Sequence, residues 1–411
     1  MLEVTASKKS DGIPPPAASA QVRATALTEP VWGPSETARS IGGSLFKTGS
    51  NFQVADADPC FWSEYLVARH YFHMAVAARG GQLEVLKLGA KGPNGEPLSI
   101  DIGWFGAKYP KRVLVHSSGL HGVEAYAGSA IQLQWLREGL PSTPADSAIA
   151  LVHILNPYGM TWGRRFNENN VDLNRNFRDL NDRLPDEPAH WAEVNALLNP
   201  PSSPNVDGFY LRAALLVLRY GLPSLMQAVA GGQSLNERGL FFIGRALEEG
   251  PAKFQEFLKR RLADVERIVA IDVHTGLGHF GADRLLVDSR IEGKDILRTM
   301  HEVFGTRIRG LSHNQIAYSA KGAQEEMYLR SFPHAKVYFA TQEFGTYHPL
   351  RVVEALRAEN RFHHYGRGAA RHPAKTRLLE MFCPRDLKWR LRVLKRGEEV
   401  IRQACELAFR D

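Results

Sequence analysis

Residues 112–136 read RVLVHSSGLHGVEAYAGSAIQLQWL, and in them a short apolar run is followed by apolar residues at helical spacing. The run VLV predicts a buried strand, and the apolar side chains at positions 123, 126, 130 and 133 predict a helix. His121 and Glu124 fall where the strand gives way to the helix. Because they are three positions apart, their imidazole and carboxylate can both reach one zinc ion. HxxE pairs are also frequent by chance, so this pair needs support from elsewhere in the chain.

Strand and helix patterns alternate through the middle of the chain. The run AIALVHIL at 148–155 predicts the next strand, and further strands are predicted at 268–274, 284–287 and 336–341. Upstream, Pro93-Asn94-Gly95 between two apolar runs indicates a hairpin. This order predicts an α/β fold with a mixed, mostly parallel central sheet flanked by helices.

The composition along the chain suggests how it is divided. Residues 1–45 are rich in Ser, Ala, Pro, Gly and Thr and lack periodicity, which predicts a flexible N-terminal segment. No linker stands out after that segment, so we expect a single domain at 46–411. Within it, we expect a helical insertion at about 178–265 and a helical C-terminal extension at about 352–411.

The overall composition is that of an ordinary globular protein and excludes several classes. Apolar residues make up 44% of the 411 positions, but no run approaches the roughly 18 to 20 apolar residues that span a bilayer. The three cysteines lie far apart, and the N-terminus has no basic segment leading into an apolar run. These features favour reduced thiols and a cytoplasmic protein without a membrane segment.

Much of the net charge of +7 lies late in the chain, in RDLKWRLRVLKRGEEVIRQ at 385–403. Such a charge can attract acidic partners. However, Leu387, Leu391 and Leu394 share one helical face within this stretch. We therefore interpret it as a helix with a basic outer face, and we expect no nucleic-acid partner.

Polar side chains stand at the ends of three predicted strands. His121 follows one strand, His274 ends a second and Glu343 ends a third. Ligands bind at strand ends in open α/β sheets. His121, Glu124 and His274 make a set of two histidines and one carboxylate, which leaves one zinc position open for water. Glu343 is then a candidate for the base that takes the proton of this water.

A second group of candidates is cationic and consists of Arg164, Arg165 and Arg175. Arginine can stabilise an oxyanion, or it can hold a substrate carboxylate through paired hydrogen bonds. Charge alone does not decide which of the three takes which role.

Taken together, these motifs resemble the zinc carboxypeptidase superfamily, including its succinylglutamate desuccinylase and aspartoacylase branch. His121 and Glu124 match the HxxE pair of the superfamily, and His274 matches its distant third ligand. The segment RFNENNVDLNRNF at 165–177 is similar to its long signature, and Gln342-Glu343-Phe344 is similar to its general-base segment. The whole chain most resembles a mainly bacterial branch of the superfamily.

The resemblance implies roles for further residues. Arg165 would stabilise the oxyanion, and Asp172 would orient a ligating imidazole. Asn174 and Arg175 would bind a terminal carboxylate, and Tyr318 resembles a mobile substrate-binding tyrosine.

The resemblance covers about residues 90–350 and implies a phosphorylase/hydrolase-like zinc carboxypeptidase fold that holds one Zn²⁺. The implied activity is hydrolysis of an amide bond next to a free carboxylate, first of all removal of a C-terminal residue from a peptide. Deacylation of an N-acyl amino acid is the alternative, and a non-catalytic binding protein on the same fold is the remaining reading. Glu325, near the floor of the family's side-chain pocket, favours a basic substrate side chain.

Overall fold

The computed structural model describes most of the chain after residue 59. Residues 1–45, which are predicted to be flexible, and Tyr318 lie outside the described residues. The predicted division into a flexible segment and one domain with an insertion and an extension therefore stays a prediction. The described residues are 60–62, 64–179, 187–288, 293–310, 321–367 and 372–410.

In the described part of the chain, one sheet contains eight strands. They are β1 Gln82–Lys91, β2 Pro97–Gly106, β3 Arg112–Ser118, β4 Ser147–Val152, β5 Arg267–Thr275, β6 Asp283–Val287, β7 Ile308–Gly310 and β8 Lys336–Phe344. Their order is β1-β2-β4-β3-β5-β8-β6-β7. The pairings from β4 through β3 and β5 to β8 are parallel, as is that of β6 with β7, whereas β1–β2, β2–β4 and β6–β8 are antiparallel. The predicted mixed, mostly parallel sheet is thus confirmed.

Helices precede, connect and follow these strands. They are α1 Tyr65–Ala78, α2 Ala125–Glu138, α3 Pro157–Trp162, α4 Trp191–Leu198, α5 Phe209–Tyr220, α6 Leu222–Ala230, α7 Glu249–Arg261, α8 Lys294–Phe304, α9 Gln324–Ser331, α10 Pro349–Tyr365, α11 Pro373–Phe382 and α12 Leu387–Phe409. Local chemistry fixes several of their ends. Helix α4 ends just before Pro200-Pro201, and α11 begins at Pro373 behind a capping His372.

Both faces of the sheet are buried, because side chains alternate along each strand. In β3, Leu114 joins one apolar core, while Val113 and Val115 join another on the opposite face. The first core includes Trp389 of α12, and the second includes Phe254 of α7. Helices therefore cover the sheet on both sides, which confirms the predicted α/β class.

The parallel centre of the sheet gathers the strand ends that carry the candidate residues. Strand β5 lies between β3 and β8, with Val273 opposite Ser118 of β3. On its other side, His274 lies opposite Glu343 of β8. Since the carboxyl ends of neighbouring parallel strands meet at one edge, the loop after β3 reaches the same place.

Two buried histidines in this core should make the stability of the protein depend on pH. His116 and His153 are fully buried, and burial lowers the pKa of His116 to about 4 and that of His153 to about 3. The unfolded chain binds protons at these positions from about pH 6.5 downward, whereas the folded chain does not. The free energy of unfolding should therefore fall as the pH drops from 6.5 to 4, by about 1.4 kcal/mol per pH unit for each histidine.

Urea unfolding of wild type and His153→Gln at pH 7 and pH 5 measures this dependence. The variant should lose less stability between the two pH values, because one of the two histidines is gone. His279→Gln, at an exposed position, is the matched control and should follow the wild type. Equal losses in His153→Gln and wild type would contradict the assignment.

Candidate metal centre

His121 and Glu124 are held at the turn between β3 and α2 by close backbone packing. A short 3₁₀ helix, Gly122–Glu124, follows His121 and leads directly into α2. A Cβ atom at Gly122 would lie 2.0 Å from the carbonyl carbon of Gly159, so only glycine fits between this turn and α3. The turn therefore holds both side chains towards the end of β5.

His121, Glu124 and His274 converge in the structure. Each offers one ligand atom such that all three atoms lie within 4.8 Å of one another, and all three residues are buried. The Nδ1 atom of His121 lies 3.0 Å from Oε1 of Glu124, and the Nδ1 atom of His274 lies 3.1 Å from Oε2 of the same carboxylate. The arrangement is that of a compact donor set of two imidazoles and one carboxylate.

The far nitrogen of each imidazole faces an aspartate. Nε2 of His121 lies 3.0 Å from Asp172, and Nε2 of His274 lies 2.6 Å from Asp272. A carboxylate only accepts hydrogen bonds, so each Nε2 donates its proton, and each Nδ1, when it carries no second proton, directs a lone pair towards the shared centre. Among the described residues, no hydrogen bond satisfies the buried Nδ1 atom of His121. A divalent cation bound by both Nδ1 atoms would give the Nδ1 atom of His121 a partner, so the residues present fit zinc.

Neighbouring charges set the pKa values of Glu124 and His274 in this donor set. Burial would raise the pKa of Glu124, but His121, His274 and Arg165 outweigh it and hold that pKa below its ordinary value. Burial would lower the pKa of His274, but Asp272 and Glu124 outweigh it and raise that pKa well above its ordinary value. Without a cation the centre therefore holds a proton on His274, and a metal ion would have to displace it.

Glu343 lies beside this donor set on the next strand. Its carboxylate is buried, and its Oε1 atom accepts a 2.8 Å hydrogen bond from the backbone N–H of Leu277. Burial and the neighbouring charge of Glu124 raise the pKa of Glu343 to about 7, against the opposing effect of His274. A carboxyl group with a pKa near neutrality can both take up and release a proton, as a general base must.

Of the two consecutive arginines, Arg164 and Arg165, the second contacts the donor set. It donates hydrogen bonds to Glu124 over 2.7 Å and to Asp172 over 3.3 Å. Its Nη2 atom also lies 2.9 Å from Nε2 of His121. The Nε2 atom of His121 thus faces both Asp172 and Arg165. A neutral imidazole keeps a lone pair on Nδ1 only when Nε2 carries the proton, and Nε2 can donate that proton to Asp172 but not to Arg165.

Arg164 points to a different part of the molecule. It is fully buried and pairs with Glu359 over 3.1 Å. It also donates hydrogen bonds to Asn170 and Asn360, over 2.8 and 2.9 Å. These contacts tie the loop after α3 to α10, so Arg164 has a structural role.

Asp172, Asn174 and Arg175 lie on one short 3₁₀ helix, Leu173–Arg175, and its cap. Asp172 caps the helix by accepting a 3.2 Å hydrogen bond from the N–H of Asn174. The Oδ1 atom of Asn174 accepts from the N–H of Gln324, and Nη1 of Arg175 lies 3.7 Å from Asp172. Burial lowers the pKa of Arg175 from its ordinary value, which the facing carboxylate opposes. Glu325 is buried in the first turn of α9, next to this helix.

Asp272 is a site residue that the sequence interpretation missed. It accepts a 2.6 Å hydrogen bond from Ser117 of β3, and it also contacts His274. The signal was the spacing Asp272-Val-His274 within a predicted strand, since residues two apart lie on the same face. An aspartate two positions before a ligating histidine in a strand is therefore a candidate for orienting it.

We expect Asp272→Asn to weaken zinc binding about 10- to 100-fold, because a neutral amide holds the His274 imidazole less firmly and lowers its basicity. Competition with a chromogenic chelator measures the affinity. Asp264→Asn, at an exposed position after α7, is the matched control and should bind as the wild type does. Unchanged affinity in Asp272→Asn would mean that this aspartate does not support the donor set.

Solved structures similar to this one include hydrolases of several kinds. A carboxypeptidase A from Helicoverpa armigera is 14% identical, with 84% of this chain and 74% of that chain covered and a TM-score of 0.43. A succinylglutamate desuccinylase from Silicibacter sp. TM1040 is 15% identical, with 70% and 67% covered and a TM-score of 0.35. A murein-tripeptide amidase from Escherichia coli O157 is 17% identical, with 68% and 91% covered and a TM-score of 0.32.

The family to which the chain belongs is the one described as a protein of unknown function (DUF2817), whose model matches residues 61–396. A search of curated proteins found no match. Among the described helices, none combines the length and the apolar character that crossing a membrane requires.

Proposed function

We propose that the chain is a zinc-dependent hydrolase that cleaves an amide bond next to a free carboxylate. One Zn²⁺ would be held by His121, Glu124 and His274. The observation that carries the proposal is the convergence of these three buried donors, within 4.8 Å of one another, beside the carboxylate of Glu343. A buried carboxylate with a raised pKa beside such a donor set is typical of a functional site.

Glu343 would transfer the proton in this reaction. A bound Zn²⁺ supplies Lewis acidity, which polarises a carbonyl group and makes water a good nucleophile at neutral pH. Glu343 would accept the proton of the attacking water and hand it to the nitrogen of the leaving amine. The backbone N–H of Leu277 holds its carboxylate in place for both transfers.

Arg165 would stabilise the negative charge that develops on the carbonyl oxygen. Its hydrogen bonds to Glu124 and Asp172 fix the guanidinium next to the donor set before substrate binds. Such preorganised positive charge lowers the energy of an oxyanion without reorganisation during the reaction.

The substrate's free carboxylate would be bound by Asn174 and Arg175, with Tyr318 as a further contact. Arg175 is buried close to Asp172, so its guanidinium has a defined orientation for paired hydrogen bonds to a carboxylate. Asn174 and Arg175 would bind the carboxylate at one end of a substrate residue, and the metal would bind at the other end of the same residue. The bond cleaved would therefore be the amide adjacent to that residue.

We favour a peptide substrate that loses its C-terminal residue, with N-acyl amino acid deacylation as the alternative. Both reactions need the same donor set, base and carboxylate-binding residues. The cytoplasm is the proposed compartment, in keeping with Cys60, Cys383 and Cys405, which are all free and buried.

Hydrolysis of matched substrates tests the proposal. Peptides with a free C-terminus should be cleaved, and the same peptides with a C-terminal amide should be cleaved far more slowly, because the carboxylate-binding arginine loses its partner. N-acyl amino acids assayed alongside separate the two reactions. No hydrolysis of either substrate type by the zinc-loaded protein would favour a non-catalytic binding protein instead.

A further inference from the structure

A basic cleft lies at the edge of the sheet, at the same end as the candidate metal centre. Its volume is about 780 Å³, within the range of small-molecule sites. It is bordered by the starts of β6 and β7, by α12 and by the loop 276–282 from β5 to β6, whose Leu277 N–H donates to Glu343. We call it the edge cleft. Its cationic lining residues are Arg284 of β6, Arg307 just before β7, Arg309 of β7, and Arg392, Lys395 and Arg396 of α12.

Only part of this positive charge is balanced. Asp283, the one carboxylate among the described lining residues, lies 3.7 Å from Arg307 and 3.8 Å from Arg396. Arg396 also pairs with Glu399 over 2.8 Å. These contacts hold two of the cations in place and neutralise much of their charge.

The other cations of the edge cleft have no acidic partner within the described residues. Arg392 and Lys395 are exposed on α12 and form no ion pair there. Within the described ranges, the guanidinium of Arg309 donates only to the backbone oxygens of Thr306 and Ile308, over 2.9 and 3.1 Å. These cations line one concave surface without an acidic partner among the described residues, so the cleft carries an excess of positive charge that favours anions.

The basic outer face of α12 lines the edge cleft, and this distinguishes it from a helix face that is only solvated. The basic stretch at 385–403 forms α12, with Val393 and Leu394 buried in the core and the adjacent Arg392 and Lys395 facing outward. The anchored apolar face places these two cations in the lining of the cleft that Arg309 of β7 also lines. A concave cluster of this size suits a compact ligand better than an extended nucleic-acid strand, which would need a longer basic surface.

We infer that the edge cleft binds a small polyanion whose charge is carried on adjacent phosphate groups. Guanidinium groups donate paired hydrogen bonds to phosphate oxygens, and two neighbouring phosphates supply the charge density that the unpaired cations lack. The Asp283 carboxylate orients Arg307 and Arg396 at the floor and accepts a 3.2 Å hydrogen bond from Gln342, next to Glu343.

Inorganic pyrophosphate is the probe, and calorimetry on the metal-free full chain is the measurement, since pyrophosphate chelates divalent cations. Wild type should bind it, and the double variant Arg392→Gln with Lys395→Gln should bind about tenfold more weakly or worse, as expected for lost charged hydrogen bonds. The matched control is Lys388→Gln with Arg402→Gln, which removes the same charge from exposed positions elsewhere on α12. The control should retain wild-type affinity.

Three results would overturn the inference. The first is no binding of pyrophosphate by wild type, and the second is an equal loss of affinity in both double variants, which would indicate unspecific attraction. The third is binding of a single-stranded oligonucleotide that pyrophosphate does not displace. Thermal unfolding of both variants, which are exposed substitutions, should match wild type and exclude misfolding as the cause of lost binding. None of these results depends on hydrolytic activity.

Discussion

Replacing Glu343 by glutamine should remove most turnover while leaving the metal bound. General base catalysis by a positioned side chain contributes about 10²- to 10⁴-fold to a rate, and an amide cannot accept the proton of the attacking water. Because Glu343 is placed beside the donor set and is not assigned to it, zinc content should stay at about one ion per chain. The measurement is the rate of hydrolysis of a substrate with a free carboxylate, with metal analysis of the same preparation.

The same substitution should stabilise the metal-free protein at alkaline pH. The folded protein keeps the Glu343 proton up to a pKa of about 7, whereas the unfolded chain loses it near 4.5, so the wild type loses stability as the pH rises through this window. Glutamine removes that loss, and at pH 8 the metal-free variant should be more stable by on the order of 1–3 kcal/mol. Glu302→Gln, an exposed neutralisation in α8, is the control and should change neither turnover nor stability.

A variant that kept wild-type turnover would remove Glu343 from the mechanism. A variant that lost turnover together with zinc would instead assign Glu343 to the donor set. The stability measurement separates both results from misfolding, which would lower the free energy of unfolding.

Replacing His274 by alanine should reduce zinc content from about one ion per chain to nearly none, with loss of activity as a consequence. The substitution removes one of the three donors, and it leaves the buried carboxylate of Asp272 without its imidazole partner. His279→Ala is the matched control, because His279 lies five positions later on the exposed loop 276–282. The protein with this substitution should keep its zinc.

The buried position of His274 makes a second variant necessary. His274→Gln can still donate a hydrogen bond towards Asp272, and it should fold while binding zinc poorly. Normal zinc content in a folded His274 variant would refute the assignment of this ligand. Loss of zinc in His279→Ala as well would indicate a general effect of the loop.

The centre of the sheet and the convergence of His121, Glu124 and His274 could be predicted because their signals are local. Runs of apolar residues marked β3, β5 and β8, and polar residues stood at the end of each, where parallel strands gather their ligands. The short turn from His121 to Glu124 fixed two donors relative to each other without any long-range contact.

Contacts that depend on strand order could not be predicted in the same way. Ser117 donates to Asp272 only because β3 and β5 are neighbours, although 155 positions separate the two residues. The double contact of Arg165 with Glu124 and Asp172 likewise needs the loop after α3 to fold back onto the β3 turn.

The edge cleft is a further feature of this kind. Its cations come from the region 284–309 and from α12, which are distant in sequence and meet only in the folded protein. The sequence predicted a helix with a basic outer face but gave no indication of what that face would meet.

X-ray absorption at the zinc edge of the zinc-loaded protein tests the donor set most directly, because it reports which atoms bind the metal. The set of His121, Glu124 and His274 predicts two imidazole nitrogens at about 2.0 to 2.1 Å with oxygen making up the rest, and no sulfur. Sulfur at about 2.3 Å, or the absence of imidazole scattering, would contradict it.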